Sequence, residues 1–386
     1  MCGVHGIVCG SKNILRKMIS ESSSRGPGGS SFYHDAHIGL GHNLLSMSGV
    51  SSVSQPYHSQ CGRYVLVFNG EIYNYKDYLD DGAYEDLGDV PVLMQLLSES
   101  HEETEVLSTL SGMYAIALYD RHNRTIFLAR DTHGAKPLYY SIGENGKLIF
   151  SSEIDSLRAA GVDVSKPNID ALDIYLGLGY VPSQFTVFSK IQKIVPGGWL
   201  RYSIDKRQIV ANGLVEKRKE LEVASAQDYR HKLSSSVKKT ADSRRKIALN
   251  LSGGLDSASI LYELSVQGAC VDTYTTRYVG DSKTESFKNN IDAKFAKELV
   301  AAFGTGVHNE IEINSSQYFD AAADAADALE VPDGNKSLPL YWFHTKEVSK
   351  GGVSGILSGE GADELLCGII DTDTSPQVLR EYSPMV

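Results

Sequence analysis

The sequence is short of cysteine, of long apolar runs and of positive charge. Among 386 residues there are five cysteines, Cys2, Cys9, Cys61, Cys270 and Cys367, with no CxxC pair. Neither a disulfide framework nor a cysteine-based zinc site is indicated. No run reaches the apolar length of a membrane span, and the first residues lack the basic, apolar, small-residue order of a secretory signal. The expected compartment is therefore cytoplasmic. Lys and Arg number 37 against 48 Asp and Glu, a formal net charge of −11. That balance argues against broad binding to nucleic acid or to an anionic membrane, but not against phosphate held in one local site. The basic runs Lys217-Arg218-Lys219 and Arg244-Arg245-Lys246 are too short to overrule it and are expected as solvated surface. Internal repeats and low-complexity tracts are absent as well.

What is present is an ordinary globular composition, 42% hydrophobic and 22% charged, on a chain long enough for two domains. The first two hundred residues alternate as short strands broken by turns. "RYVLVFNGEIY" (63–73), "MYAIALYD" (113–120) and "TIFLARD" (125–131) are strands, and Val90, Leu93, Leu96 and Leu97 line one face of a helix near 90–100. The expectation is an α+β sheet sandwich over 2–202. A polar, charged stretch without strong apolar period, 203–224, is expected as a linker. From 225 onward strands and helices alternate. Ser225 caps a helix, "KIALNL" (246–251) is a buried strand with a helix after it from about 257, and "CVDTYTTRY" (270–278), "VHNEIEI" (307–313) and "GVSGILSG" are further strands. This pattern means a parallel sheet covered by helices, so the chain is α/β overall.

Two loops in the second half carry chemistry. Strand 246–251 runs into Ser252-Gly253-Gly254-Leu255-Asp256-Ser257 and then into a helix. Ligands bind at the carboxyl ends of parallel strands, and glycines at a helix N-terminus let backbone N–H groups approach an anion. Asp256 repels bare phosphate and so reads as a ligand for Mg²⁺ carried by a nucleotide. No GK[ST] follows, so this is not a Walker loop, and an ordinary Gly-rich turn has the same composition. A second loop weighs toward a ligand site. The last strand ends in "SGEGADEL", Ser358 to Leu365. Asp256 and Asp363 are placed to share one Mg²⁺ on a pyrophosphate, and Glu360 to orient an amine or a substrate carboxyl group.

"SGGLDS", followed about a hundred residues later by "LSGEGADEL", resembles the glutamine-hydrolysing asparagine synthetase family. The resemblance implies a pyrophosphatase-type (PP-loop) ATP site that adenylates a carboxylate. It puts Leu251, Ser252, Gly253, Gly254, Leu255, Asp256, Ser257, Thr276, Ser358 and Gly359 at ATP, and makes Glu360 catalytic. It also implies that the first half is an N-terminal-nucleophile (Ntn) glutaminase, an αββα sandwich. This gives meaning to the opening "MCGVHGIVCG", whose Cys2 taken alone has no evident role. Met1 is expected to be removed, Cys2 to attack the glutamine amide, and its own freed α-amine to act as base. "RGPGG" (25–29), "VFNGEIYNY" (67–75) and "LGDVPVLMQLL" follow the family in order. They imply that Asn69 and Gly70 form an oxyanion hole, and that Arg25, Asn69, Glu71 and Asp89 surround glutamine, Asp89 on its α-amine. "ARDTHGAKPLYY", "SSEI" and "YVPSQFTVFSKIQKIVPGG" extend the resemblance, which reaches about residue 368.

Departures from the family pattern are specific. Leu44, in "GHNLLS", stands where the family carries an arginine that clamps the glutamine carboxylate, and leucine forms no ion pair. Rerouting through Arg25 or Arg63, or loss of glutamine use, follows as an expectation. Gly28 replaces an aspartate. Arg277 stands where a glycine is usual, facing either phosphate or solvent. The chain stops at Val386 after an unmatched tail, 369–386, so the domain from 225 to 386 is expected to be a shortened one. The catalytic lysine has no match. Lys336 is a candidate by position only and reads as a surface lysine.

The resemblance therefore implies an ATP- and Mg²⁺-dependent ligase that moves ammonia from glutamine to aspartate or another small carboxylate. A homodimer or a helper subunit is the expected protein partner. The alternatives are a ligase of the same family with another acceptor, and a shortened, non-catalytic nucleotide-binding relative.

Overall fold

The computed structural model describes residues 2–45, 53–79, 88–216, 225–241, 246–280 and 290–363. Met1, Cys367, the basic runs at 217–219 and 244–245, and the tail 369–386 lie outside them. The chain forms two compact units, residues 1–223 with 322–339, and residues 224–321 with 340–386.

The strands of the first unit are β1 (Gly3–Val8), β2 (Ser30–His34), β3 (Ile38–Asn43), β4 (Tyr57–His58), β5 (Tyr64–Ile72), β6 (Gly112–Asp120), β7 (Thr125–Arg130), β8 (Tyr139–Ile142), β9 (Leu148–Ser151), β10 (Gln192–Lys193), β11 (Gly198–Ser203) and β12 (Gln208–Leu214). Among the described residues they build two six-stranded antiparallel sheets, ordered β10-β8-β9-β1-β3-β2 and β12-β11-β7-β6-β5-β4. Alternation fixes the layers, because successive side chains leave a strand on opposite faces. On β5, Val65 and Val67 join Val4, Val8, Ile38 and Leu40 between the sheets. Leu66 and Phe68 point outward, onto Val90, Leu93, Met94 and Leu97 of α2 (Asp89–Glu99). On the other side Ile7 packs with Leu15, Met18 and Ile19 of α1 (Lys12–Glu21) and with Ile154 and Leu157 of α4 (Ile154–Ala159), α3 being Glu103–Thr109. The four layers run helix, sheet, sheet, helix, the αββα arrangement of an Ntn-hydrolase sandwich.

Two findings differ from the sequence reading. Residues 203–214 are not linker: they complete β11 and form β12, which pairs along it from Gly198↔Leu214 to Ser203↔Gln208. β12 is polar because it is an edge strand, with little of either face to bury. The stretch 322–339 joins the first unit instead of continuing the second. Val331 packs on the Ile7–Leu15–Ile154 cluster, Ile154 N donates to Glu330, and Gly334 N donates to Gly179 O at 2.7 Å. Gly179 ends α5 (Ile169–Leu178) with φ +79°, the left-handed cap that glycine adopts without strain.

In the second unit, β13 (Ile247–Asn250), β14 (Asp272–Tyr278), β15 (His308–Ile313) and β16 (Gly355–Leu357) form a parallel sheet ordered β15-β14-β13-β16. Its helices are α6 (Ala226–Thr240), α7 (Leu255–Val266), α8 (Ile291–Phe303), α9 (Ser315–Ala328, the end of which belongs to the first unit) and α10 (Leu338–Lys350). α6 starts where Ser225 accepts from Asp228 N. Leu249 and Leu251 are buried with Leu261, Leu264 and Ala296 on one face, and Ala248 and Tyr274 with Val348 of α10 on the other.

Candidate active sites

Cys2 precedes β1, and by alternation it shares the inner face with Val4 and Val8. Asn69 shares the inner face of β5 with Val65 and Val67. Both side chains therefore enter the space between the sheets. Asn69 is 1% exposed, and among the described residues its Nδ2 has no hydrogen-bond partner. An amide donor held in such a place costs about 1–3 kcal/mol if nothing ever pairs with it, so the site is built to receive an acceptor. Gly70 follows on the same strand. A Cβ there would stand 2.0 Å from the Met113 carbonyl oxygen of the paired strand, so no other residue keeps this backbone close to β6.

The Cys2 thiol accepts from Leu45 N at 3.3 Å. Burial pushes its pKa up, opposed by that N–H and by nearby positive charge that includes Lys136; Asp89 adds to the rise. The thiolate is thus not given in advance, and a base must take the proton. Two buried imidazoles, His5 and His42, lie on the neighbouring strands β1 and β3. His5 Nε2–H donates to Asn43 Oδ1 at 2.7 Å, and its Nδ1 accepts from Ser151 Oγ at 3.0 Å. His42 is buried as well, and its Nε2 has no hydrogen-bond partner among the described residues. Both are buried and their pKa values fall to about 4 for that reason, so both are neutral.

Charged groups ring the thiol. Arg25 donates from Nε to the Cys2 carbonyl at 3.2 Å and from Nη1 to Glu153 at 3.2 Å. Asp89, the first residue of α2, accepts from Ile72 N at 2.9 Å at the end of β5. Lys136, buried, acts electrostatically on Cys2, Arg25, Asp131 and Glu71. Lys136 and the Leu45 N–H are the participants that sequence reasoning passed over. Lys136 lay inside the quoted "ARDTHGAKPLYY", and a backbone donor leaves no signal in sequence. Leu44 is spent on backbone pairing, accepting from Gly28 N at 2.9 Å and donating to Gly29 O at 2.8 Å. A Cβ on Gly28 would lie 2.8 Å from the Leu44 carbonyl. Arg63 lies elsewhere. It forms a two-bond ion pair with Asp120 at 3.0 and 2.6 Å, six residues or about 20 Å of strand from Asn69.

In the second unit, Leu251 follows β13 and is buried, Thr275 Oγ1 donating to its carbonyl. Ser252 Oγ accepts from Gly254 N at 3.3 Å and lies 3.2 Å from Ser257 Oγ. Gly253 turns at φ +81°, and a Cβ there would meet the Asp292 carbonyl at 2.7 Å. Leu255 opens α7 two residues earlier than the sequence suggested, with Asp256 in its first turn. Parallel pairing of Leu249 with Leu357 brings the second loop alongside. The two loops touch: a Cβ on Gly359 would lie 2.8 Å from Asp256 Cβ and 2.9 Å from Ser257 N. Ser358 Oγ accepts from Glu360 N at 3.2 Å, while Glu360 and Asp363 are exposed. Among the described residues no group of three or more His, Cys, Asp or Glu is arranged to hold a metal. Thr276 lies in the carboxyl half of β14, two residues before its end. Arg277 pairs with Glu312 and, at 3.8 Å, Glu310 of β15. Lys336 is exposed in a turn of the first unit.

Residues 1–212 match the family profile of the glutamine amidotransferase domain, and residues 228–385 match that of asparagine synthase. Asparagine synthetase [glutamine-hydrolyzing] 1 of Bacillus subtilis (strain 168) is 29% identical over 385 residues, 95% of this chain and 59% of that protein. Asparagine synthetase B of Escherichia coli (strain K12) is 29% identical over 411 residues, 100% of this chain and 68% of that protein. A putative asparagine synthetase of Mycobacterium tuberculosis (strain ATCC 25618 / H37Rv) is 30% identical over 371 residues, 89% and 55% of the two. The chain spans 55% to 68% of the length of these relatives.

Proposed function

The chain belongs to the glutamine-hydrolysing asparagine synthetase family, and on that premise we propose that it releases ammonia from glutamine at Cys2 and forms an amide on a carboxylate activated by ATP at the 252–257 and 358–363 loops. The observation that carries the first half is the buried, unpartnered Nδ2 of Asn69, which enters the same space between the sheets as Cys2. With Met1 removed, the Cys2 α-amine takes the thiol proton and Sγ attacks the amide carbon. The Asn69 amide and the Gly70 N–H donate to the oxygen on which charge develops. The amine then protonates the departing ammonia, and water cleaves the thioester to glutamate. Leu45 N–H and the positive charge of Lys136 favour the thiolate against burial. Asp89 takes the glutamine α-ammonium. Arg25, which also bonds Glu153 and the Cys2 carbonyl, and Glu71 complete the pocket, with Arg25 assigned to the α-carboxylate in place of the arginine that Leu44 displaces.

The second half rests on the contact of Gly359 with Asp256. The backbone around Ser252–Ser257, with Ser358 and Gly359, is suited to the pyrophosphate of ATP, and Leu251 and Thr276 flank the nucleoside. Asp256 and Asp363 fit Mg²⁺, which takes hard oxygen ligands and often one or two carboxylates beside substrate phosphates. Bound there, the ion supplies charge neutralisation to the triphosphate. Glu360, exposed at the mouth, orients the incoming amine. Aspartate is the acceptor the family relationship favours, in a cytoplasmic reaction and with a homodimer or helper subunit as the protein partner. The test is turnover with glutamine, ATP, Mg²⁺ and a panel of carboxylates. Glutamate, AMP and an amide in equal amounts support the reading, and release of glutamate without AMP under every condition removes its second half.

Asn69→Ala is expected to lower kcat for glutamine hydrolysis by about 10²–10³, with a smaller change in KM, as for other single oxyanion donors; steady-state glutamate release checks it. Gly359→Val is expected to weaken ATP binding by about tenfold or more, because its side chain must displace Asp256 or the second loop. Glutamine hydrolysis without ATP should be unaffected, and calorimetric titration with Mg·ATP gives the binding readout.

A further inference from the structure

His344 projects from the middle of α10, is 6% exposed and bonds at both ring nitrogens. Nε2 lies 2.8 Å from Asn250 Oδ1, at the end of β13, and Nδ1 lies 2.8 Å from Thr276 Oγ1, two residues before the end of β14. A carboxamide oxygen only accepts, so Nε2 carries the proton. Nδ1 is then the acceptor, and the Thr276 hydroxyl must donate to it. Burial lowers the pKa of His344, which keeps the ring neutral and this proton order intact.

The ring thus ties one helix to the carboxyl halves of two adjacent strands. Asn250 is two residues before Ser252, and β13 pairs with β14 up to Asn250↔Tyr274. A phenyl or alkyl side chain of similar size would fill the same space but would leave the Asn250 amide oxygen and the Thr276 hydroxyl without this partner. We infer that His344 is a positioning residue for the nucleotide site: it fixes the Thr276 hydroxyl and the strand end that launches the 252–257 loop, without touching the ligand itself. The inference rests on the nucleotide reading of those loops.

The test uses the full chain. His344→Phe and His344→Ala are expected to raise the Kd for Mg·ATP, measured by calorimetry, by about tenfold, the consequence of leaving two half-buried polar groups without this partner. His344→Gln presents a donor and an acceptor on one carbon, as the ring does on Cε1, and is expected to stay within about threefold of the unsubstituted chain. Thr276→Val is expected to weaken binding similarly, and the pair His344→Phe with Thr276→Val to fall well short of the summed effects, because both break one contact. Far-UV circular dichroism and a thermal melt serve as the folding control, and if the alanine variant does not fold, the glutamine and valine variants still decide. Unchanged Kd in His344→Phe, failure of His344→Gln to rescue, or full additivity with Thr276→Val would overturn the inference while leaving the nucleotide reading intact. Absence of Mg·ATP binding by the unsubstituted chain would overturn both.

Discussion

Cys2→Ala is expected to abolish glutamine hydrolysis, with a loss on the order of 10³-fold or more, the scale seen when a covalent nucleophile is removed. The thiol supports little else. It sits ahead of β1, half-buried, and its described partners are the Leu45 backbone groups. Its removal should therefore leave folding intact, which a thermal melt checks. Two companion results separate this account from a merely structural cysteine. Amide formation driven by added ammonium salt should persist in the variant, because the second-unit loops are untouched. Mass spectrometry of the unsubstituted protein should show that Met1 is absent. Buried as it is, the thiol needs a base; His5 is bonded at both ring nitrogens, and burial holds the pKa values of His5 and His42 at about 4, which makes both weak bases. The α-amine that Cys2 gains on removal of Met1 is the base proposed for that step. A Cys2→Ala protein that still releases glutamate at the original rate would place the chemistry elsewhere.

The second large effect is on stability in acid. His5 and His42 have folded pKa values of about 4 against an ordinary value of 6.5. Between those values the unfolded chain binds the protons and the folded chain does not. Stability conferred by the neutral rings is thus complete above pH 6.5 and lost as pH falls from 6.5 toward 4. Each shift corresponds to at most roughly 3 kcal/mol. Glu330 works in the opposite direction. Burial raises its pKa to about 7, so its unfavourable burial as an anion eases as pH falls through 7 toward 4.5. The informative quantity is accordingly a difference between variants. His5→Gln keeps a neutral amide that can reach Asn43 or Ser151, and its stability, from urea melts, should fall less between pH 6.5 and 4.5 than that of the unsubstituted chain. Equal slopes would mean that His5 is not held neutral by the fold.

Much of this architecture was legible in sequence. The apolar run in "RYVLVFNGEIY" marked β5, but Val65, Leu66, Val67 and Phe68 are contiguous and apolar on both faces, so which residues face the second sheet is known from the packing. The strand–loop–helix order around 246–266 was likewise legible, and contacts at Gly253 and Gly359 show why glycine stands at those two loop positions. What stayed hidden depends on tertiary pairing. β12 reads as linker because an edge strand has little apolar surface to bury. The return of 322–339 to the first unit is carried by Val331, Glu330 and Gly334, residues ordinary in any loop. The commitments of Arg63 to Asp120 and of Arg277 to Glu310 and Glu312 are equally invisible in sequence, since each partner lies dozens of residues away. They turn two candidate ligand-binding cations into structural ones.

The most direct measurement supplies glutamine labelled with ¹⁵N in its side-chain amide, together with ATP, Mg²⁺ and aspartate, and follows the label. Transfer of the label into the side-chain amide of asparagine, matched by AMP and abolished by Cys2→Ala, is the predicted result. Labelled ammonia accumulating with no AMP, or glutamine left intact by a protein whose N-terminus is Cys2, would contradict it.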